Sequence, residues 1–113
     1  MEEYEFNQKV DDTLMAIEEA LESCDADLDW DLAGGILTIE CGSDSKYSGS
    51  QIIVNRQTPT RQIWVASRGG GFHFDFSEGE DSQTYRWMQG ELELFDLLNR
   101  ALSEQTGEAI SLR

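Results

Sequence analysis

The spacing of the apolar residues changes twice along the chain, and this change limits the folds that the chain can adopt. Between residues 4 and 23 apolar side chains recur at every third or fourth position, which predicts an amphipathic helix. From residue 34 to residue 88 apolar and polar residues alternate in short segments separated by polar turns, which predicts strands at 36–41, 51–57, 61–68, 72–76 and 83–88. The helical spacing returns at 91–105, and Gly107 is positioned to end this second helix. The apolar positions of the first helix are Phe6, Val10, Leu14, Ile17 and Leu21.

This order of helix, hairpin-linked strands and helix predicts an α+β fold. A sheet built from consecutive hairpins is antiparallel, and it must bury its apolar face against the two helices. We therefore expect a two-layer sandwich with both helices on one face of the sheet and the other face towards solvent. The length of 113 residues predicts a single domain over 1–113.

The chain is strongly acidic, with 23 Asp and Glu against 8 Lys and Arg and a formal net charge of −15. A field of this sign argues against nucleic acid or an anionic membrane as a partner, and it favours cations or a basic protein. Solubility alone would also explain an acidic surface, but it predicts no order along the chain. Here twelve acids lie within residues 1–31, whereas residues 51–74 contain none. The acidic N-terminus lacks the order of a signal peptide, and no segment is apolar enough to span a membrane, so we expect a cytoplasmic protein.

The acids of the first helix follow its surface in two rows. One row spaces its members by seven and four residues, and a second row runs beside it. Several of these acids lie in the C-terminal half, where the helix dipole is already negative, so their placement costs helix stability and suggests a function. The rows consist of Asp11, Glu18 and Glu22, and of Asp12 and Glu19.

Four further acids, Asp25, Asp27, Asp29 and Asp31, alternate in the stretch CDADLDWD. The stretch resembles the start of a calcium-binding EF-hand loop, but Trp30 stands where that loop needs Gly and Ile36 where it needs Glu. An open carboxylate surface instead suits hard cations such as iron, manganese or magnesium, which accept oxygen ligands. A solvated acidic face is the alternative.

Other chemistry finds little support in the sequence. His73 is the only histidine, and the spacing of Cys24 and Cys41 fits no zinc site. No triad or nucleophile elbow is present, so we do not expect an enzyme.

One polar–aromatic stretch, NRQTPTRQIWVAS at 55–67, has the composition of a protein-binding surface. If Ile63 and Val65 face the core, Trp64 points to the solvent side of the sheet, and an exposed Trp beside Arg and amide side chains is typical of a binding hot spot. Inward packing of Trp64 is the alternative. The candidate partner-binding residues are Asn55, Gln57, Arg61 and Trp64.

The same stretch resembles the frataxin family in its bacterial form, together with the segments GGGFHFDF, GGILTI and DLLNRAL and the acidic first helix. The resemblance implies a frataxin-like helix–antiparallel sheet–helix sandwich. It also implies a monomer that binds iron (Fe²⁺ or Fe³⁺) weakly and modulates iron–sulfur cluster assembly by binding the cysteine desulfurase and its scaffold protein. Other divalent cations are compatible with such a surface, and iron-induced self-association is a further hypothesis.

Carried over by position, the resemblance assigns the iron ligands to the acidic helix and to the alternating aspartates, which would continue the acidic surface of the helix into the first strand. It assigns partner contacts to Asn55, Gln57 and Trp64. The alternative from another class is an acidic interaction module that binds a basic protein and has no metal role. The implied iron ligands are Asp11, Asp12, Glu18, Glu19, Glu22, Asp25, Asp27, Asp29 and Asp31.

Overall fold

A computed structural model describes residues 1–79 and 84–112. Along the chain, a first helix is followed by the strands of a seven-stranded sheet and then by a second helix. A short 3₁₀ helix, Thr58–Thr60, joins the third and fourth strands. Two sequence predictions extend beyond the described residues. These are the loop at 77–82, of which residues 80–82 are not described, and the strand at 83–88, of which Gln83 is not described. The elements are α1 Glu3–Glu22, β1 Leu28–Ala33, β2 Ile36–Cys41, β3 Gln51–Gln57, β4 Gln62–Ser67, β5 Gly70–Glu78, β6 Tyr85–Gln89, β7 Leu92–Glu93 and α2 Leu94–Thr106.

The two helices form where the apolar spacing predicts them. All five apolar positions of the α1 stripe are buried. α2 begins three residues later than predicted, because Leu92 and Glu93 first pair with β6 as the short strand β7. Gly107 ends α2 in the left-handed conformation (φ 79°), which a residue with a side chain adopts only at a cost.

The strands pair in sequence order, and every neighbouring pair is antiparallel. β1 and β2 are joined by Gly34 and Gly35, both with positive φ, as a two-residue hairpin turn requires. The alternating aspartates therefore only partly belong to a strand: β1 starts at Leu28, so Asp25 and Asp27 precede it and Asp29 and Asp31 lie on it.

The core lies between the helices and one face of the sheet. Phe74 and Trp87 are buried there, and the same cluster contains the apolar faces of α1 and α2. The alternate apolar residues of β2 to β4 are also buried on this face, namely Leu37, Ile39, Cys41, Ile52, Val54, Ile63 and Val65. The Trp87 indole N–H donates to Thr13 Oγ1 at 2.9 Å and so ties β6 to α1. This arrangement confirms the predicted α+β sandwich with both helices on one face.

The polar loop 42–50 packs against the end of α2. The backbone N–H groups of Lys46 and Tyr47 donate to the carbonyls of Thr106 and Gln105 at 2.9 and 2.8 Å. These bonds satisfy carbonyls that a helix end leaves without partners. None of the helices among the described residues is long and apolar enough to cross a membrane.

Candidate functional site

The candidate iron ligands of α1 lie on its solvent side. Four of them, Asp11, Asp12, Glu19 and Glu22, are exposed, and Glu18 is half-buried. We call these five residues the helix carboxylates. No basic residue lies in the last turn of α1, so nothing there offsets the negative end of the helix dipole.

One helix carboxylate is already neutralised. Arg56 on β3 reaches across to α1, where Nη2 contacts Asp11 Oδ1 at 2.5 Å and Nη1 donates to Asn7 Oδ1 at 3.1 Å. Within the described part of the chain, Asp12, Glu18, Glu19 and Glu22 form no ion pair. The α1 surface thus keeps most of its negative charge uncompensated.

The alternating aspartates all point away from the core, because the residues between them pack inward. Cys24, Ala26, Leu28 and Trp30 are half-buried against the core cluster. Asp29 lies opposite Glu40, and Asp31 opposite Thr38, on the face of the sheet that carries no helix. These two aspartates are therefore separated from the helix carboxylates by the sheet layer, although the sequence suggested one continuous surface.

Asp25 and Asp27 form a third group near the end of α2. Asp27 Oδ2 accepts a bond from the Asp44 backbone N–H at 3.3 Å, and both aspartates line a shallow depression with Lys46 and Glu108. Across residues 1–79 and 84–112, no three Asp, Glu, His or Cys side chains converge closely enough to form a metal cage. The carboxylates offer hard oxygen ligands without a fixed coordination geometry.

Trp64 lies at the centre of the helix-free face. Its neighbours Ile63 and Val65 are buried, so the prediction that Trp64 points away from the core is confirmed. The indole stacks on the His73 ring, with centroids 4.0 Å apart and planes 9° from parallel. Asn55 lies directly across from Trp64 on β3, and a depression of about 200 Å³ beside the indole is lined by both rings.

A chain of hydrogen bonds holds the indole in place. Trp64 Nε1–H donates to Gln62 Oε1 at 2.8 Å, and Gln62 Nε2–H donates to Asp75 Oδ1 at 2.9 Å. We call Asn55, Gln62, Trp64, His73 and Asp75 the Trp64 patch. Gln57 pairs with Gln62 in the ladder and lies at its margin.

Arg61, the fourth residue of the predicted partner-binding set, lies apart from the Trp64 patch. It has a left-handed backbone (φ 55°) at the end of the 3₁₀ helix, and its guanidinium donates to the carbonyls of Thr58 and Met1. The same group lies 6.0 Å from the centre of the Phe6 ring. Arg61 thus fastens the start of α1 to the sheet.

Sequence reasoning did not place His73 and Asp75 at this site. Alternation puts both on one face of β5, but only the pairing of β4 with β5 brings them against Trp64 and Gln62. That register depends on the two-residue turn Arg68–Gly69, because Ser67 pairs with Gly70 directly beside it. It also places Phe74, which is buried, opposite the buried Ile63.

The fold and its surfaces define a class: an acidic two-layer α+β protein with an ordered indole on the open face of an antiparallel sheet. A family model described as Frataxin-like domain matches residues 1–108. The chain belongs to the frataxin family.

Its relatives match over nearly their whole length. A protein of Dechloromonas aromatica named iron-sulfur cluster assembly protein CyaY is 46% identical over 100% of both chains, and the protein of that name from Pseudomonas aeruginosa is 43% identical over 97% of this chain and 95% of its own. A solved structure of frataxin from Psychromonas ingrahamii, described as a member of the CyaY protein family, superposes with a TM-score of 0.78 at 30% identity. It covers 98% of this chain and 97% of its own.

Proposed function

We propose that this chain is an iron-responsive binding protein of bacterial cytoplasmic iron–sulfur cluster assembly. In this role it docks on the cysteine desulfurase–scaffold complex and modulates its activity without catalysing a reaction. The observation that carries the proposal is the set of helix carboxylates, of which only Asp11 has a basic partner among the described residues. The names of the relatives support the pathway.

Iron suits the carboxylates as a weakly held, exchangeable ion. Oxygen ligands on an exposed surface accept a hard cation, and the absence of a cage in the described residues leaves its coordination largely to water. Such binding would report the iron supply. The candidate ligands are the helix carboxylates with Asp25, Asp27, Asp29 and Asp31.

The Trp64 patch supports the docking half of the proposal. An indole held by stacking and a hydrogen bond loses little conformational freedom when a partner covers it, which favours affinity. Asn55 and Gln57 on the same face can add polar contacts. Arg61 would then act mainly by fixing the neighbouring chain.

An anaerobic Fe²⁺ titration followed by backbone NMR tests the metal half. We expect selective broadening at residues 11–31. In the combined variant Glu18→Gln, Glu19→Gln and Glu22→Gln, the broadening should be lost in the C-terminal half of α1. The matched control, Glu2→Gln with Glu3→Gln and Glu5→Gln, should keep it. Broadening spread evenly over the chain would contradict iron binding at the helix carboxylates.

The second candidate function, an acidic module that binds a basic partner without a metal role, is favoured by the dispersed arrangement of the carboxylates. A desulfurase assay with and without this protein, at several iron concentrations, separates the two. An iron-dependent effect supports the proposal, and an equal effect at all iron concentrations supports the module. Growth of particles with iron in light scattering would instead indicate an iron-storing assembly.

A further inference from the structure

β1 forms one edge of the sheet. β2 pairs with it on one side, and no strand among residues 1–79 and 84–112 pairs with it on the other. A free strand edge presents backbone N–H and C=O groups that can pair with another extended segment.

The hairpin register shows which groups point outward. In a two-residue hairpin the residues beside the turn, here Ala33 and Ile36, form a hydrogen-bonded pair, and such pairs alternate along the ladder. Asp29 and Asp31 then also bond to β2, and the bond from Gly42 N–H to Asp27 O at 2.8 Å continues this alternation. Trp30 and Leu32 consequently direct their backbone groups to the free edge.

The side chains beside this edge have opposite characters on the two faces. Asp29 and Asp31 project on the helix-free face, and Asp29 is paired directly with Glu40 on β2. Two like charges directly opposite each other destabilise a sheet. On the other face Leu32 is 38% exposed, so apolar surface remains uncovered.

We propose that the free edge of β1 binds an extended cationic segment of a partner protein by strand addition. Hydrogen bonds would form at Trp30 and Leu32. Residues of the segment opposite Asp29 and Asp31 would then occupy non-hydrogen-bonded pairs, where cross-strand side chains are closest. A segment with Lys or Arg at every second position fits, because its bases lie opposite Asp29 and Asp31 while its apolar residues cover Leu32. A base beside Asp29 also offsets the repulsion between Asp29 and Glu40.

Charge excludes a second copy of this chain as the occupant. Two β1 strands placed edge to edge would bring aspartates against aspartates, which is unfavourable. None of this chain's own segments carries bases at alternating positions. The occupant is therefore a basic segment of another protein.

This inference rests on the proposed function only in that the partner is basic, and a model peptide tests it separately. The probe is a short blocked peptide of alternating lysine and valine, and its control has the same composition with the lysines adjacent. We expect the alternating peptide to bind roughly tenfold more tightly, from added cross-strand pairs. Hydrogen exchange should slow at the Trp30 and Leu32 amides.

Two variants locate the contact. Leu32→Pro removes an outward N–H that β2 does not use, and it should abolish the preference for the alternating peptide. Should this variant misfold, Asp29→Asn with Asp31→Asn keeps the backbone donors and should remove most of the preference.

Equal binding of both peptides, or unchanged exchange at Trp30 and Leu32, would overturn strand addition and leave β1 a protected edge. Self-association without peptide would also overturn it, since the occupant would be a second copy. A desulfurase that binds normally when the peptides fail would leave the proposed function standing.

Discussion

The helix carboxylates and the Trp64 patch lie on opposite layers of the molecule and differ in how their polar groups are held. Four of the five helix carboxylates form no ion pair within the described residues. In the Trp64 patch, by contrast, four side chains are linked one to the next. Two hydrogen bonds connect Asp75 to Gln62 and Gln62 to Trp64, and ring stacking connects Trp64 to His73. The difference indicates two kinds of recognition: charge attraction without fixed geometry on α1, and a preorganised surface on the sheet.

The largest expected effect on partner binding is at the Trp64 patch. Trp64→Ala should weaken binding to the cysteine desulfurase–scaffold complex by roughly thirtyfold, because a central indole commonly contributes about 2 kcal/mol or more. Calorimetric titration measures this. Trp64→Phe is the control, since it keeps a ring against His73 but cannot donate to Gln62, and it should lose less. Wild-type affinity of the alanine variant, with an unchanged circular dichroism spectrum, would remove the patch from the interface.

Charge reversal on α1 should have opposite effects on binding and stability. Combining Glu18→Lys, Glu19→Lys and Glu22→Lys should weaken docking about tenfold at low salt, because attraction to a basic surface is lost. The same changes should raise the free energy of unfolding, since each places a cation near the negative end of the helix dipole, worth about 0.3–1 kcal/mol.

The matched control for this reversal lies at the other end of α1. Glu2→Lys, Glu3→Lys and Glu5→Lys change the net charge equally but remove acids from the favourable N-terminal end of α1, where Glu2 is the N-cap and Glu3 and Glu5 lie in the first turn. Urea denaturation should therefore show a loss of stability. If both triple variants shift stability in the same direction, net charge rather than position governs α1.

Removal of the link between Asp75 and Trp64 tests whether order matters within the patch. Gln62→Ala should lower affinity for the complex about fivefold, because the freed indole must be ordered on binding. The exposed Gln8 on α1 supplies the control, Gln8→Ala, with affinity expected to be unchanged. Equal affinities for the two variants would show that the hydrogen bond does not prepare the indole.

The smallest effect is expected at the ion pair between Arg56 and Asp11. Arg56→Gln should cost less than about 1 kcal/mol of stability, since Asp11 in the ion pair is 62% exposed. It should also strengthen Fe²⁺-induced NMR broadening at Asp11 by releasing the carboxylate. Arg100→Gln, at an exposed position of α2, serves as the comparison and should change neither quantity.

The fold was accessible from the sequence because each element carries its own period. The α1 stripe and the alternation of β2 and β4 survive in the structure, and Gly107 ends α2. The start of α2 was misplaced because Leu92 and Glu93 pair with β6, and the helical spacing of the apolar residues contains no sign of this pairing.

The candidate site was less accessible, because it depends on how elements meet. The sequence indicated the exposure of Trp64, but not that Arg56 pairs with Asp11 from 45 positions away. It also joined Asp29 and Asp31 to α1, whereas the ladder with β2 places them on the helix-free face. Local periodicity fixes the face of a strand, and only the packing of layers decides which faces meet.

The three tryptophans divide the molecule into separately observable regions. Trp30 lies on the edge strand, Trp64 on the open face, and Trp87 in the core, bonded to Thr13. Three variants can be made, each retaining one indole and carrying Phe at the other two positions. Each variant would then contain a single tryptophan as its native fluorophore. Their emission would report on the sheet edge, the docking face and global unfolding without any attached dye.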